Sequence, residues 1–230
     1  MTSAFSLRAA AAAFSAAALF GLTACESGPA QPDPDSPEAE GEAPAQSEEI
    51  PENPMPEPEY DSDDTVALPV GLISPAGYDW EVYGEDADYA PETPHGRQVA
   101  RTEQFGCQDY ISVLETVPVV TDNPAEAALE YLLSLERTTH GSPAFRNPLA
   151  ASGFEVTGVE NTGSAVTVNL TGFANSSTSC QSWQLLKQIE TTVRAASGNQ
   201  QVEILLDGAP LAGQLGLEDP GPLTIHRLRD

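Results

Sequence analysis

Basic residues are scarce in this chain, and none occurs between Arg8 and Arg97. The 230 residues contain 9 Lys and Arg against 35 Asp and Glu, which gives a formal net charge of −26. Binding to nucleic acid requires clustered positive charge, and so does attraction to anionic lipid head groups. The composition therefore predicts that nucleic acid is not a partner.

Sequence motifs that mark catalytic, cofactor or metal sites are also missing. There is no C-x-x-C pair, no G-x-S-x-G turn and no glycine-rich phosphate-binding loop of either common type. The histidines His95, His140 and His226 lie far apart among Pro and Gly, and we expect them to be exposed and without a role. These observations predict a protein that is not an enzyme and holds no cofactor or metal.

Long hydrophobic runs are absent after the amino terminus. The single run, at residues 9–22, is shorter than the roughly 20 residues that a membrane-spanning helix needs. It ends at Leu22-Thr23-Ala24-Cys25, which resembles the bacterial lipobox. We expect residues 1–24 to be a lipoprotein signal peptide and Cys25 to carry lipid in the outer leaflet of the cytoplasmic membrane. The rest would face the extracytoplasmic side, and an ordinary secretory peptide is the alternative.

Two segments separate this anchor from the domain. Residues 25–65 contain the anchor site and an acidic, proline-rich stretch with little apolar surface, which predicts a disordered tether that contributes nothing to folding. Residues 66–97 are expected to be an irregular lead-in, because Pro69 and Gly71 interrupt its apolar run and argue against a central strand. Its aromatic residues would form either a strap across the domain or an exposed surface.

Two helices are predicted in the remaining chain from their capping signals. Asn123 caps the first, with Pro124 at its first helical position and Glu126 three residues after the cap. The second is amphipathic and begins at the capping-box sequence Thr178-Ser179-Cys180-Gln181. The segment between them at residues 138–152 contains Gly and Pro and is predicted to be a loop.

Alternating apolar residues predict strands around these helices. Extended runs at residues 99–105 and 110–119 precede the first helix. A hairpin turns at Asn161-Thr162-Gly163, and a last strand ends at Asp207-Gly208. The order β-α-β-β-α-β predicts an α+β domain over residues 98–230, with a small mixed or antiparallel sheet and two helices on one face.

These stretches resemble the GerMN (sporulation and spore germination) domain. The resemblance rests on the helix NPAEAALEYLL at residues 123–133, the strand AVTVNLT at 165–171 and the strand VEILLDG at 202–208. Members of the family are extracytoplasmic, often lipid-anchored, and act through protein contacts without catalytic residues. The resemblance therefore implies a non-catalytic interaction module at the cell envelope.

Cys107 and Cys180 are the cysteines that remain after Cys25. In an oxidising compartment, two cysteines in one domain are expected to form a disulfide. The bridge would join the turn after the first strand to the first turn of the second helix. The alternative is a reactive thiol at that helix start, where the helix dipole lowers the pKa of a cysteine.

Two functions fit these features. The first is contact with an envelope protein whose identity the sequence leaves open. The second is binding of a cell-wall glycan or another small ligand by Trp80 and Tyr83, and a hydrolase is less favoured than either. An apolar or edge-strand patch would favour a protein partner, and a concave polar pocket would favour a ligand. The Ala- and Pro-rich composition is typical of a high-GC bacterium such as an actinobacterium.

Overall fold

The described part of the chain contains strands, helices and their connections. The computed structural model describes residues 55–74, 92–93, 96–141, 144–218 and 221–228. Its strands are β1 (Thr65–Ile73), β2 (Glu92–Thr93), β3 (Gly96–Thr102), β4 (Ile111–Val120), β5 (Thr139–His140), β6 (Phe145–Arg146), β7 (Glu155–Asn161), β8 (Ala165–Thr171), β9 (Gln201–Leu206), β10 (Ala209–Pro210) and β11 (Ile225–Arg227). Its α-helices are α1 (Pro124–Ser134), α2 (Ser179–Ser197) and α3 (Leu211–Gln214), and a 3-10 helix covers Pro148–Ala151.

The strands form two sheets. The large sheet has the order β11-β3-β4-β1-β6-β5, with β2 paired to β3, and its pairs are antiparallel. The small sheet has the order β10-β9-β8-β7, in which β8 and β9 are parallel and α2 makes the crossover between them. The predicted α+β class is confirmed, but the strands divide into two sheets where the sequence led us to expect one.

Strand β1 corrects the first part of the irregular lead-in predicted at residues 66–97, while residues 75–91, 94 and 95 of that segment lie outside the described ranges. It lies between β4 and β6, although Ile73 is its single residue paired with β6. At this mostly open edge, the N–H of Gly71 donates to the Thr192 hydroxyl at 3.0 Å, and the Gln188 amide donates to the Gly71 carbonyl at 2.9 Å. Pro69 is two residues earlier and points to the same edge, so its missing N–H removes no bond to β4. Proline is therefore compatible with this strand.

Both predicted helix caps are confirmed. At α1, the Asn123 side chain accepts a hydrogen bond from the Glu126 N–H at 3.3 Å and donates one to the Glu126 carboxylate at 2.9 Å. At α2, the Thr178 hydroxyl accepts from the Gln181 N–H at 3.2 Å, and the helix ends at Gly198 with φ of 68°. No helix in the described ranges has the length and apolar character needed to cross a membrane.

The segment at residues 138–152, predicted to be a loop, contains β5, β6 and the 3-10 helix. Its residue Asn147 is fully buried. The Asn147 amide donates to the carbonyls of Leu132 and Leu135 at 3.2 and 3.4 Å, at the carboxyl end of α1. The Asn147 oxygen accepts from Gln188 of α2 at 3.1 Å. The Asn147 side chain therefore provides a hydrogen-bond donor for carbonyl groups at the end of α1 and links that end to α2.

Helix α2 is enclosed on all sides. Every residue from 184 to 197 is buried, whereas an amphipathic helix normally exposes its polar face. Lys187 donates to the carboxylate of Glu190 at 2.6 Å and to the carbonyl of Gly221 at 2.7 Å. Burial of a charge is costly unless partners compensate it, and these contacts are the compensation.

Arg194 fixes the same helix to the carboxyl-terminal segment. Its Nη1 donates to the carbonyl of Leu223, just before β11. Burial lowers the pKa of the Arg194 guanidinium, and the Glu190 carboxylate opposes that change. Residues 221–228 are thereby held on α2 from one side, while β11 pairs with β3 on the other.

The main hydrophobic core joins both sheets and both long helices. Its members include Val66, Leu68, Val70 and Leu72 from β1, Ala128, Leu129 and Leu132 from α1, Leu186, Ile189 and Val193 from α2, and Val166, Val168, Ile204 and Leu206 from the small sheet. A separate cluster contains Ala100, Val113, Ala195 and Ile225. Helix α2 contributes residues to both clusters, so it packs apolar side chains on two of its faces.

The packed part of the chain begins before β1. Met55 packs against the cluster that contains Ala195. The backbone nitrogen of Glu57 lies 3.1 Å from the position that a Cβ atom at Gly198 would take. The predicted tether boundary at residue 65 is therefore too far along the chain, because one apolar residue among Pro and Glu makes no recognisable pattern.

Candidate binding site

The site residues suggested by the sequence lie only partly within the described ranges. Cys25, Trp80 and Tyr83 lie outside the described residues. Cys107 and Cys180 form a disulfide with their Cα atoms 5.6 Å apart, which confirms the predicted bridge. It joins the turn between β3 and β4 to the first turn of α2, so the alternative of a reactive thiol at that helix start is wrong.

Asp109 lies two residues beyond the bridge and binds side chains from two other elements. One carboxylate oxygen accepts from Nη2 of Arg146 on β6 at 2.6 Å. The other accepts from the side-chain nitrogen of Gln184 on α2 at 2.7 Å. The side chains of Asp109 and Arg146 are 12% and 42% exposed. The disulfide holds the Asp109 turn against α2, and Asp109 in turn fixes the position of Arg146.

A cavity of about 410 Å³ opens beside this junction. Its lining consists of one arginine, three amide, three hydroxyl and three apolar side chains, with Arg146, Gln181 and Gln184 among them. The volume is within the range of small-molecule sites. Because hydroxyl and amide groups both donate and accept hydrogen bonds, the cavity is suited to a polar ligand. We call it the Arg146 cavity.

The Arg146 cavity is distinguished by its charge. Among the described residues no Asp or Glu lines it, although the chain contains 35 of them. Two other described cavities do have acidic linings, one with Glu57, Glu59 and Glu115 and one with Glu136. An anionic group therefore meets less repulsion in the Arg146 cavity than in either of those.

A second candidate surface is the last part of β4. Beyond a β-bulge, residues 118–120 pair with β1. No described strand pairs with the other edge of residues 116–120. Val117 and Val120 are 76% and 77% exposed. An open strand edge with apolar side chains is a template for pairing with an extended segment of another chain. We call residues 116–120 the valine edge.

Sequence reasoning identified neither surface. Asp109, Arg146 and Gln184 are brought together from positions 37 and 75 residues apart, and no spacing rule connects them. The valine edge did have a signal, since Val117, Val119 and Val120 leave no polar alternation in that part of the extended run. Such a run indicates burial on both faces or exposure of one apolar face.

The structure corrects the prediction that the histidines are exposed. His140 is buried rather than exposed, and its Nε2 lies 2.6 Å from the carbonyl oxygen of Arg137. His226 is exposed as expected, and His95 lies outside the described residues. Within those same ranges, no group of three or more His, Cys, Asp or Glu residues is placed to hold a metal ion.

Comparison with known proteins identifies a family for the central part of the chain. The model of the Germane family, described as sporulation and spore germination, matches residues 97–212. The match extends from β3 into α3 and covers just over half of the chain. Strands β1 and β11 lie outside it. No curated protein matches the chain, and no solved structure matches it.

Proposed function

The chain belongs to the Germane (sporulation and spore germination) family, and from this we propose that it is a lipid-anchored, non-catalytic module that binds another protein of the cell envelope. The non-catalytic part of the proposal is supported by the resemblance to the GerMN domain. It is also supported by the lack of catalytic motifs in the sequence. The partner acts on the extracytoplasmic side of the membrane.

The proposed anchor is Cys25. It follows Leu22-Thr23-Ala24 at the end of the apolar run, where a lipobox cysteine stands. Each methylene of an acyl chain contributes about 0.8 kcal/mol when it enters the bilayer, so two or more chains hold a protein stably. The acidic, proline-rich segment that follows would then act as the tether between the membrane and the domain.

The valine edge is the observation that carries the contact role. Val117 and Val120 expose most of their apolar surface to water, which is unfavourable unless a partner covers it. The edge of β4 that no described strand covers offers backbone groups that an extended segment can pair with, except at Pro118, which has no N–H to donate. The partner that fits this surface is an extended segment with small or β-branched side chains.

The test is site-specific photo-cross-linking in whole cells. The single lysine of the sequence, Lys187, is 0% exposed, so amine-reactive cross-linkers cannot report the contact. A photoreactive phenylalanine analogue at Val117 or Val120 is expected to give one defined covalent adduct with an envelope protein, which mass spectrometry identifies.

The matched control places the same analogue at Glu203, an exposed residue on β9 of the small sheet. It should give no adduct of that mass. If the Glu203 variant yields the same adduct with equal efficiency, the contact does not depend on the valine edge. If neither valine position gives an adduct in living cells, the proposed contact role is wrong.

The second candidate function is binding of a cell-wall glycan or another small ligand. The sequence placed that site at Trp80 and Tyr83, which lie outside the described residues. The observation that favours it is instead the Arg146 cavity, which has hydrogen-bonding groups on several elements and no acidic residue in the part of its lining that the structure describes. The arginine, amide and hydroxyl groups of the cavity favour a polar ligand over an apolar one.

A further inference from the structure

We propose that the Arg146 cavity binds a small polar ligand by its carboxylate, and that Arg146 is the residue that receives this carboxylate. The site has no residue in common with the valine edge, so it goes beyond the contact role proposed above. Four features of the cavity support it: the free donors of the arginine, the orientation of Gln184, the charge of the lining and the rigid support behind it.

Arg146 retains most of its hydrogen-bonding capacity. A guanidinium has five N–H donors, and among the described residues Asp109 is its single partner, through Nη2. The second oxygen of Asp109 accepts from Gln184, and the arginine contacts the carboxylate through one oxygen. The remaining donors belong to a side chain that is 42% exposed and lines the cavity. A planar set of donors of this kind matches a carboxylate.

Gln184 supplies an independent indication of a ligand. The residue is 7% exposed, and its amide nitrogen donates to Asp109. An ionised carboxylate can accept but not donate, so the amide nitrogen must face Asp109 and the amide oxygen must face away from it. That oxygen accepts no hydrogen bond within the described part of the chain, and the residue lines the cavity. The oxygen is not among the fully buried side-chain atoms that lack a partner, so it is open to solvent, and a ligand N–H or O–H can replace water there.

The charge of the lining allows an anion to enter. The chain has a net charge of −26, yet the described lining of this cavity contains one arginine and no acid. Asp109 lies behind Arg146 and is itself bound on both oxygens. The disulfide at Cys107 and Cys180 fixes this support, so the arginine is positioned before the ligand arrives and little order is lost on binding.

These features define the ligand class. The ligand has a carboxylate for Arg146 and, a few atoms away, an N–H or O–H donor for Gln184. Two sources share this chemistry: the free carboxyl end of a short peptide and the acidic group of an N-acylated amino sugar. Both are small enough for a cavity of about 410 Å³.

Calorimetric titration of the purified, oxidised chain tests the proposal with two pairs of probes. N-acetyl-alanyl-alanine is compared with its uncharged amide, and N-acetylmuramic acid is compared with N-acetylglucosamine. At least one carboxylate probe should bind. Its neutral counterpart should have a dissociation constant at least about tenfold higher. The acid that binds more tightly identifies the source as peptide or sugar.

A pair of charge-matched variants tests the role of the arginine. Arg146→Gln should weaken binding of the carboxylate probe by about tenfold or more, and Arg146→Lys should give an intermediate loss because it keeps the charge without the planar donors. Arg137→Gln removes an exposed arginine that does not line this cavity, and it should leave the dissociation constant unchanged.

Three results would overturn the proposal. They are the absence of binding by both acids, equal binding of the acid that binds more tightly and its neutral counterpart, and equal losses in the Arg146→Gln and Arg137→Gln variants. Circular dichroism and melting curves check that the variants fold. If Arg146→Gln does not fold, the comparison of Arg146→Lys with the Arg137→Gln control decides. Failure of these titrations leaves the photo-cross-linking result at the valine edge unaffected.

Discussion

The backbone N–H of Gly71 on β1 donates a hydrogen bond to the hydroxyl of Thr192 on α2, over a distance of 3.0 Å and across 121 residues of chain. A Cβ atom at position 71 would lie 2.9 Å from Cγ2 of Ile111 and 3.1 Å from that hydroxyl oxygen. Glycine therefore permits α2 to approach the open edge of β1. The contact attaches a strand outside the family match to the central helix of the domain.

Gly71→Ala is expected to lower the free energy of unfolding by about 1–3 kcal/mol, because the added methyl group would overlap Cγ2 of Ile111 on β4 and crowd the Thr192 hydroxyl on α2. Urea unfolding followed by circular dichroism measures this change. Gly158→Ala on β7 is the matched control, since a Cβ atom there would meet nothing within 4 Å. It should be neutral or stabilising by about 0.4–1 kcal/mol through the unfolded chain. Equal effects of the two substitutions would show that Ile111 and Thr192 do not crowd position 71.

Removal of the segment before β1 is expected to destabilise the domain. A chain that starts at Val66 loses Met55, which packs beside Ala195, and should melt several degrees below a chain that starts at Met55. Met55→Ala in the longer chain should reproduce part of the loss. Differential scanning calorimetry of the three proteins checks this. Identical melting temperatures would restore the original tether boundary at residue 65.

Loss of the disulfide is expected to destabilise the domain. Cys107 and Cys180 are 73 residues apart in sequence, for which the chain-entropy model gives a contribution of about 4 kcal/mol. The double substitution of both cysteines by serine should therefore lower the free energy of unfolding by about 2–5 kcal/mol. Chemical unfolding of the oxidised protein and of this variant measures the difference. Thiol titration of the unreduced wild type should find none of the domain cysteines reactive, and two reactive thiols per chain would refute the bridge.

Cys25→Ser is expected to release the protein from the membrane fraction into the medium. The reason is that the acylated cysteine is the proposed source of membrane affinity, and the acidic segment after it is repelled by anionic lipid. Fractionation and immunoblotting of wild-type and variant cells measure the distribution. Ser27→Ala, two residues further on, is the control and should stay with the membrane. A Cys25→Ser protein that remained membrane-bound would contradict lipid anchoring at this residue.

The sequence alone determined the local elements of the matched region. Asn123 and Thr178 cap their helices as their side chains predict, and Asp207 and Gly208 form the turn after β9 with φ of 51° and 79°. These features depend on groups within a few residues of one another, so local patterns specify them. The pairing of Cys107 with Cys180 was also predictable, because a two-cysteine domain has one possible internal bridge.

The tertiary structure decided where β1 lies and what surrounds α2. The sequence predicts an amphipathic helix, yet Lys187, Gln188 and Thr192 are buried because their partners are Glu190, the backbone of β1 and the segment before β11. A polar side chain has the same local pattern whether water or a distant backbone group satisfies it. The same is true of Asp109, Arg146 and Gln184, whose contact depends on chain segments 37 and 75 residues apart. Long-range hydrogen bonds leave no periodicity in the sequence, and for that reason only the folded chain shows them.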